Sequence, residues 1–319
     1  MNPALPAALK AAADALLQGV SRKELAAHST AITAQYRAGR GSASAVTSEA
    51  DTLAYLVARM PATYAVAAAA LAQIRDAAPG FAPASLLDVG AGPGTASWAA
   101  RETWPALKQV TLTDSNARFL DLARKLVPEA EHLARNLVSD DLPNADLVIA
   151  SFVLAEIAPA AQQPVVEKLH AAAADVLLLI EPGTPQGFER IRAARKSLIG
   201  QGAHVLAPCP HANLCPMLPP DWCHFSQRLP RSRDHMQAKG ANVPYEDERY
   251  SWLAVSRARR SAFDGQARVL ATPKERKPGV ELKLCTPAGL EHRFVAKRDR
   301  EAFALTRKAA WGDVVWRPS

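Results

Sequence analysis

Residues 85–95 read SLLDVGAGPGT. Ser85 to Val89 has the composition of a buried strand and runs directly into Gly90-Ala91-Gly92-Pro93-Gly94-Thr95. A helix is expected next, from Ala96 to Glu102. Glycines at this junction let the backbone turn sharply and approach a ligand closely. The dinucleotide fingerprint G-x-G-x-x-G needs a glycine at position 95, where the chain has Thr95, so a nicotinamide cofactor is disfavoured.

Working outward, Val110–Thr113 reads as a second strand ending at Asp114, followed by a helix from Asn116 to Val127. Asp146–Ser151 is a strand, 164–173 a helix, and Asp175–Ile180 a strand ending in Glu181-Pro182-Gly183. Strands alternating with helices predict an α/β fold, Rossmann-like, with a parallel sheet covered on both faces. Such sheets bind ligands beyond the C-terminal strand ends. The glycine loop lies at that end, and so does Asp114, twenty residues past Gly94, whose carboxylate can accept hydrogen bonds from ribose hydroxyls. Upstream, residues 4–78 read as helices. Leu53, Leu56, Val57 and Met60 share one helical face, Pro61 suits the first turn of a helix reaching about Asp76, and the Gly39, Gly41 and serine-rich stretch up to Ser48 reads as a loop. Arg37, Arg40 and Arg59 fit a solvated helical face.

Strand, LDVGAGPG and an acid ending the next strand together resemble the class I S-adenosylmethionine-dependent methyltransferases. The resemblance implies that Asp88 orients the loop, that Gly90, Ala91, Gly92 and Gly94 pass the amino-acid end of S-adenosylmethionine, and that Asp114 holds its ribose. Asp140 or Asp141 would lie near the adenine. Amino-methylating enzymes carry an Asn/Asp-Pro-Pro-aromatic motif after the fourth strand; here that place reads Ser151-Phe152-Val153-Leu154. No cysteine follows these strands to act as a nucleophile on a pyrimidine. Glu156 and Glu181 stand at strand ends, where structural hydrogen bonding is their expected role. Cofactor binding is thus better supported than turnover, and whether the chain is an enzyme stays open.

A second concentration of chemistry lies at Cys209–Arg233, which holds three of the four cysteines, Cys209, Cys215 and Cys223. Pro208, Pro210, Pro216, Pro219 and Pro220 exclude regular helix or central strand there. The C-x5-C-x7-C spacing differs from the C-x2-C knuckle of structural zinc, and a wide proline-containing loop suits a larger cluster, although spacing leaves zinc as an alternative. Cys285 alternates with Val280, Leu282 and Leu284, and so falls on the strand face of Glu281 and Lys283. A filler thiol belongs with the leucines, so Cys285 is the expected fourth ligand, with His211 and His224 as rivals.

Charge is divided unevenly. Residues 1–185 hold 14 Lys+Arg against 18 Asp+Glu, and residues 186–319 hold 24 against 13. A basic back half points to a polyanionic partner, most simply RNA or DNA. Strands are expected at Tyr250–Val255, Ala267–Ala271, Val280–Cys285 and Glu291–Val295, as a small β-rich, OB-like domain. Arg257, Arg259, Arg260, Lys274, Arg276, Lys277, Lys297, Arg298, Arg300, Arg307 and Lys308 lie there among Trp252, Phe294, Trp311 and Trp316. The expected divisions are an N-terminal helical region (1–80), an S-adenosylmethionine-binding domain (81–200), a cysteine segment (201–245) and the basic β-rich domain (246–319). No apolar run reaches the ~20 residues of a membrane span, so no membrane partner is expected. Met1–Val20 lacks the layout of a signal peptide, so a cytoplasmic location is the default, and a monomer is expected.

LDVGAGPGTASWA, APCPHANLCPM, DWCHFSQRLPRS, EDERYSWL, LCTPAG and RKAAWGD together resemble one family, the ribosomal small-subunit-associated methyltransferase-like proteins: mitochondrial small-subunit assembly factors and their bacterial relatives. The resemblance runs from about Ala50 to the end. It implies a [4Fe–4S] cluster on Cys209, Cys215, Cys223 and Cys285. It also implies a part in maturing the small ribosomal subunit, with small-subunit rRNA or a precursor particle as partner through Arg228, Arg231, Arg233 and the basic C-terminal domain. Active rRNA methylation, or a zinc-binding interaction module on a degenerate scaffold, are the alternatives.

Overall fold

The structure, a computed structural model, describes residues 4–37 and 45–315. Gly39, Arg40 and Gly41 of the expected loop, the side chain of Arg37, and Trp316 lie outside the described residues. The chain packs as two units, each built from separated segments: residues 1–72, 82–180 and 227–248 form the first, and 73–81, 181–226 and 249–319 the second.

In the first unit the described residues before any strand include the helices α1 (Ala7–Leu16), α2 (Arg22–Arg37), α3 (Glu49–Ala58) and α4 (Met60–Ala77), the last running on into the second unit. Ser48 caps α3 through a reciprocal pair with Asp51, each satisfying a backbone N–H of the other. Then come β1 (Ser85–Val89), α5 (Thr95–Thr103), β2 (Gln109–Asp114), α6 (Ala117–Leu126), β3 (Glu131–Ala134), β4 (Ala145–Ser151), α7 (Pro159–Ala172) and β5 (Ala173–Pro182). The strands lie in the order β3-β2-β1-β4-β5, all parallel. Leu86, Leu87, Leu112, Leu147, Val148, Leu177 and Leu178 are buried with almost no exposure. Near-continuous apolar strands are what a sheet covered on both faces requires.

Two local differences from the sequence reading stand out. β3 occupies the sheet edge with a half-exposed, charged sequence that lacks the apolar signature of its neighbours. α7 starts at Pro159, five residues before the expected Pro164, which lies inside the helix. Pro159 takes the first-turn position that tolerates proline, and Pro164 forgoes one internal hydrogen bond.

The second unit holds α8 (Pro185–Gly200), β6 (His204–Ala207), the start of β7 (Phe225–Pro230), most of β8 (Tyr245–Ser256), β9 (Ala267–Val269), β10 (Lys274–Arg276), β11 (Gly279–Thr286), β12 (Gly289–Ala296), α10 (Arg300–Thr306) and β13 (Val314–Val315). α9 (Arg233–Lys239) belongs to the first unit, against α2 and α3. An antiparallel sheet forms in the order β10-β11-β9-β13, with β12 beside β11. β10 pairs with the first half of β11 and β9 with its end, while β12 follows its whole length. The strand at Tyr250–Val255 lies outside this sheet: as part of β8 it pairs with β6 and β7. Its buried run from Tyr250 to Ser256 has no alternation and behaves as a strand covered on both faces.

Candidate functional site

The glycine loop follows β1 in the first unit. Ala91 N donates to the Thr113 carbonyl (3.0 Å) and Gly94 N to the Ala91 carbonyl (2.9 Å), which clips the loop to β2 and closes a tight turn. Gly90, Gly92 and Gly94 have φ of +62°, +54° and +81°. A Cβ on Gly90 would lie 2.5 Å from Val153 Cγ2, and one on Gly94 would lie 2.7 Å from Val127 Cγ2 and 2.8 Å from Leu112 Cδ2. At Gly92 an added Cβ meets nothing within 4 Å, so the loop opens outward there.

Two buried carboxylates hold this loop. Asp88 Oδ2 accepts from Ser97 N (3.0 Å) and Ser97 Oγ (2.8 Å), tying β1 to the first turn of α5. Burial pushes its carboxyl up to about 7, against the pull of those Ser97 bonds. Asp114 accepts from Gly92 N (2.9 Å) and Asn116 N (2.8 Å). Burial raises its carboxyl while the backbone N–H groups of Asn116, Gly92 and Ser115 oppose the shift. Thr95, at the start of α5, is buried, and its Oγ1 has no hydrogen-bond partner among the described residues. An orphaned hydroxyl, an open backbone at Gly92 and a helix N-terminus stand together where an anionic or polar group is favoured.

Asp140 accepts from Asn136 N (2.9 Å) and Ser139 Oγ, and Asp141 is exposed. Glu156 is exposed in a short turn after β4. Phe152 in the same stretch has φ +62°, an uncommon conformation for a bulky residue. Glu181, in the second unit, is buried and ion-paired with Arg190 (2.6 Å), which is a structural role.

The four cysteines lie in the second unit and line one cavity together with Phe188, Arg195, His211, Met217 and Leu290. Its volume is about 40 Å³, against the ~10–15 Å³ that one enclosed water requires. No helix or strand interrupts residues 208–224. The loop is held instead by hydrogen bonds to its surroundings: Arg268 Nε to the Pro208 carbonyl (2.7 Å), Gly265 N to that of Pro210 (2.9 Å), Arg195 Nη2 to that of His211 (2.8 Å) and Ser251 Oγ to that of Cys223 (2.8 Å) donate into it, and its own Asn213 Nδ2 donates out to the Pro287 carbonyl (3.0 Å). Trp222 donates its indole N–H to the Gly183 carbonyl (3.0 Å).

Cys285 packs with Phe188, Met217 and Leu270, whereas Val280, Leu282 and Leu284 pack into a different cluster with Val269 and Val295. The alternation read from sequence therefore places this thiol opposite the leucines. Burial pushes the Cys285 thiol up to about 12, with Cys209 and Cys215 adding to the shift. Burial likewise raises Cys215, and raises Cys223 strongly with help from the other thiols. His211 Nε2 is 3.4 Å from Cys285 Sγ, and His224 is stacked on Trp222 with ring centroids 5.1 Å apart. Among the described residues no three His, Cys, Asp or Glu side chains converge as a single metal ion requires.

Of the arginines after the third cysteine, Arg228 makes a bidentate pair with Asp247 (2.8 Å to each oxygen) and lies over the Tyr245 ring. Arg231 is largely buried against Glu246 (3.3 Å), and Arg233 is exposed. In the C-terminal sheet Lys274, Arg276, Lys277, Lys297 and Arg298 are exposed, Trp252 is core, and Phe294 is 48 % exposed. Arg195 and Arg268 escaped the sequence reading. Their signal was weak: a charged residue inside an otherwise buried helix face, and another inside a short buried strand.

Parallel order β3-β2-β1-β4-β5, the glycine loop after β1 and the acid ending β2 define a Rossmann-like domain of the class I methyltransferase type, joined to a cysteine-lined β-rich unit. The chain belongs to the family described as mitochondrial small ribosomal subunit Rsm22, whose model matches residues 49–317. The human ribosome assembly protein METTL17, mitochondrial, is 28% identical over 292 residues, covering 84% of this chain and 63% of that protein. The Schizosaccharomyces pombe Rsm22-cox11 tandem protein 2, mitochondrial, is 25% identical, covering 83% of this chain and 43% of that one. The chain thus spans less than two thirds of the length of either relative. Among solved structures, a putative RNA methyltransferase from Pyrococcus horikoshii is 17% identical with a TM-score of 0.41, covering 62% of this chain and 84% of that one. A magnesium protoporphyrin IX methyltransferase from Synechocystis, solved with bound SAM, is 14% identical with a TM-score of 0.42, covering 81% of this chain and all of that one.

Proposed function

We propose that this chain is an assembly factor of the small ribosomal subunit that binds rRNA, S-adenosylmethionine and a [4Fe–4S] cluster. Family membership supports the assembly role, and the meeting of all four cysteines in one apolar cavity is the observation that carries the cluster. Four mutually repelling thiolates cannot stay ionised in such a cavity without a cation, and an iron–sulfur core supplies that charge through four thiolate bonds. The C-x5-C-x7-C spacing departs from the zinc knuckle, which favours a multi-atom group over zinc. Cys209, Cys215, Cys223 and Cys285 would hold it.

S-adenosylmethionine fits the glycine loop. Its amino-acid end would meet the open backbone at Gly92 and the unpaired Thr95 hydroxyl, and its ribose would reach Asp114. The bound group supplies an electrophilic methyl. The chain's own contribution is to hold the loop through Asp88 and Asp114. The exposed Phe294, with His292 two positions away on the same strand face, offers a stacking surface for single-stranded RNA, while Lys283 opposite His292 is paired with Asp221. Arg233, Lys274, Lys277, Lys297 and Arg298 take the phosphate contacts; Arg228, Arg231 and Arg276, engaged in ion pairs, do not. The relatives are named as mitochondrial proteins, so the compartment is that of the ribosome served, in place of the cytoplasmic default.

Anaerobic purification with iron, sulfide and zinc analysis, on wild type and Cys285→Ser, tests the cluster. Iron and sulfide in the wild type, depleted in the variant, are expected; zinc without iron overturns it. Co-sedimentation with small-subunit particles tests the assembly role. Labelled-methyl incorporation into small-subunit rRNA, abolished by Gly90→Arg, would establish active methyl transfer as the second reading.

A further inference from the structure

Two buried arginines flank the cysteines. Arg268 is 2% exposed and Arg195 5%. Arg268 stands directly opposite Cys285 in the β9–β11 pair. Directly opposed residues of an antiparallel pair project from one face, with Cβ atoms about 4.5–5.5 Å apart. Its Nε holds the carbonyl of Pro208, the residue before Cys209, and its Nη1 reaches Gln73 Oε1 and the Gly312 carbonyl, each at 2.6 Å. Arg195 lines the cavity itself and gives Nη2 to the His211 carbonyl.

Every hydrogen bond these two guanidinium groups make among the described residues goes to a neutral oxygen. Arg268 Nη2 and Arg195 Nε are buried without any partner among the described residues. A guanidinium stays charged under all ordinary conditions, and burying it unmatched is strongly unfavourable. Two such charges beside four thiols call for an anion. Four thiolates around an oxidised [4Fe–4S] core carry a net double negative charge, which two guanidinium groups balance.

We propose that Arg195 and Arg268 are the built-in counter-charge of the group held by the four cysteines, stabilising it when bound and easing its gain of a further electron. This rests on the cluster reading above. A bound cluster's potential depends on its net charge and on hydrogen bonds to its sulfurs. Positive charge beside it favours the more negative, reduced state.

The full chain, purified anaerobically as wild type, Arg195→Gln, Arg268→Gln and Arg268→Lys, supplies the test. Iron and labile sulfide per chain are measured, with the reduction potential from a dithionite titration followed by electron paramagnetic resonance. Each Gln variant is expected to show a more negative potential or at least a twofold loss of iron with its far-UV circular dichroism unchanged. Arg268→Lys, which keeps the charge, should stay near wild type. Arg268 also ties three oxygens together, so where its Gln variant misfolds Arg195→Gln decides. Gln variants with wild-type iron and an unmoved potential overturn the counter-charge while leaving the cluster intact. A wild-type protein without iron overturns the cluster reading and this inference with it.

Discussion

Gly90→Ala forces two separable costs on the glycine loop. At φ +62° a Cβ brings left-handed strain of about 1–2 kcal/mol. The new atom also lies 2.5 Å from Val153 Cγ2, an overlap that displaces a side chain and costs about 1–3 kcal/mol. The single variant should therefore lose about 2–5 kcal/mol, a large part of a typical ~5–15 kcal/mol stability. Val153→Ala alone removes two methyl groups from a half-buried position and should cost about 1 kcal/mol. In the double variant the overlap disappears and the strain remains, so about 2–3 kcal/mol is lost in place of the roughly 3–6 kcal/mol that additivity demands. Urea unfolding of the four proteins, with S-adenosylmethionine titration calorimetry on each, measures both the coupling and its effect on the loop. Additivity within about 0.5 kcal/mol would show that Val153 does not stand over Gly90, and the account of this turn would fall.

Asp88→Asn should change the pH profile. The folded carboxyl is raised to about 7 by burial, so its contribution is fully present below about 3.8 and is lost as pH rises through 7. The wild type should lose up to about 4 kcal/mol across that window and the variant should not, which urea midpoints from pH 4.5 to 8 will report; parallel profiles count against it. Asp51 runs the other way. Burial raises its carboxyl, but bonds from His28, Ser48 and Thr47 outweigh this and hold it at about 2. Asp51→Asn should cost about 1–2 kcal/mol at pH 7, and the gap should close as pH falls from 4 toward 2; a constant gap in thermal melts would contradict the capping role. Glu246 lies 2.5 Å from Lys239 Nζ, 3.3 Å from Arg231 Nε and 3.1 Å from His235 Nε2. Glu246→Gln strands those groups part-buried and should cost about 3–5 kcal/mol in chemical unfolding, with a near-neutral result refuting the network.

The glycine loop was legible because it is local. Strand, turn and helix follow one another within a dozen residues, and the need for left-handed backbone shows directly as glycine. Asp88 and Asp114 were legible for the same reason: each ends or occupies a strand whose apolar run is plain. β3 was not, because an edge strand with one solvated side lacks that run. Arg228 and Arg231 looked like free surface charge, yet their partners Asp247 and Glu246 lie 19 and 15 residues away in sequence, beyond α9.

The cysteines divide along the same line. Period-two alternation alone put Cys285 on the face away from Val280, Leu282 and Leu284, since a strand's side chains must point to opposite faces. That this face meets the 209–223 loop, and that Arg195 and Arg268 stand beside it, depends on how a helix, a proline-rich loop and a strand more than sixty residues further on pack together. Such long-range placement is set by which apolar surfaces bury one another, and it leaves no mark on the local pattern of any one segment.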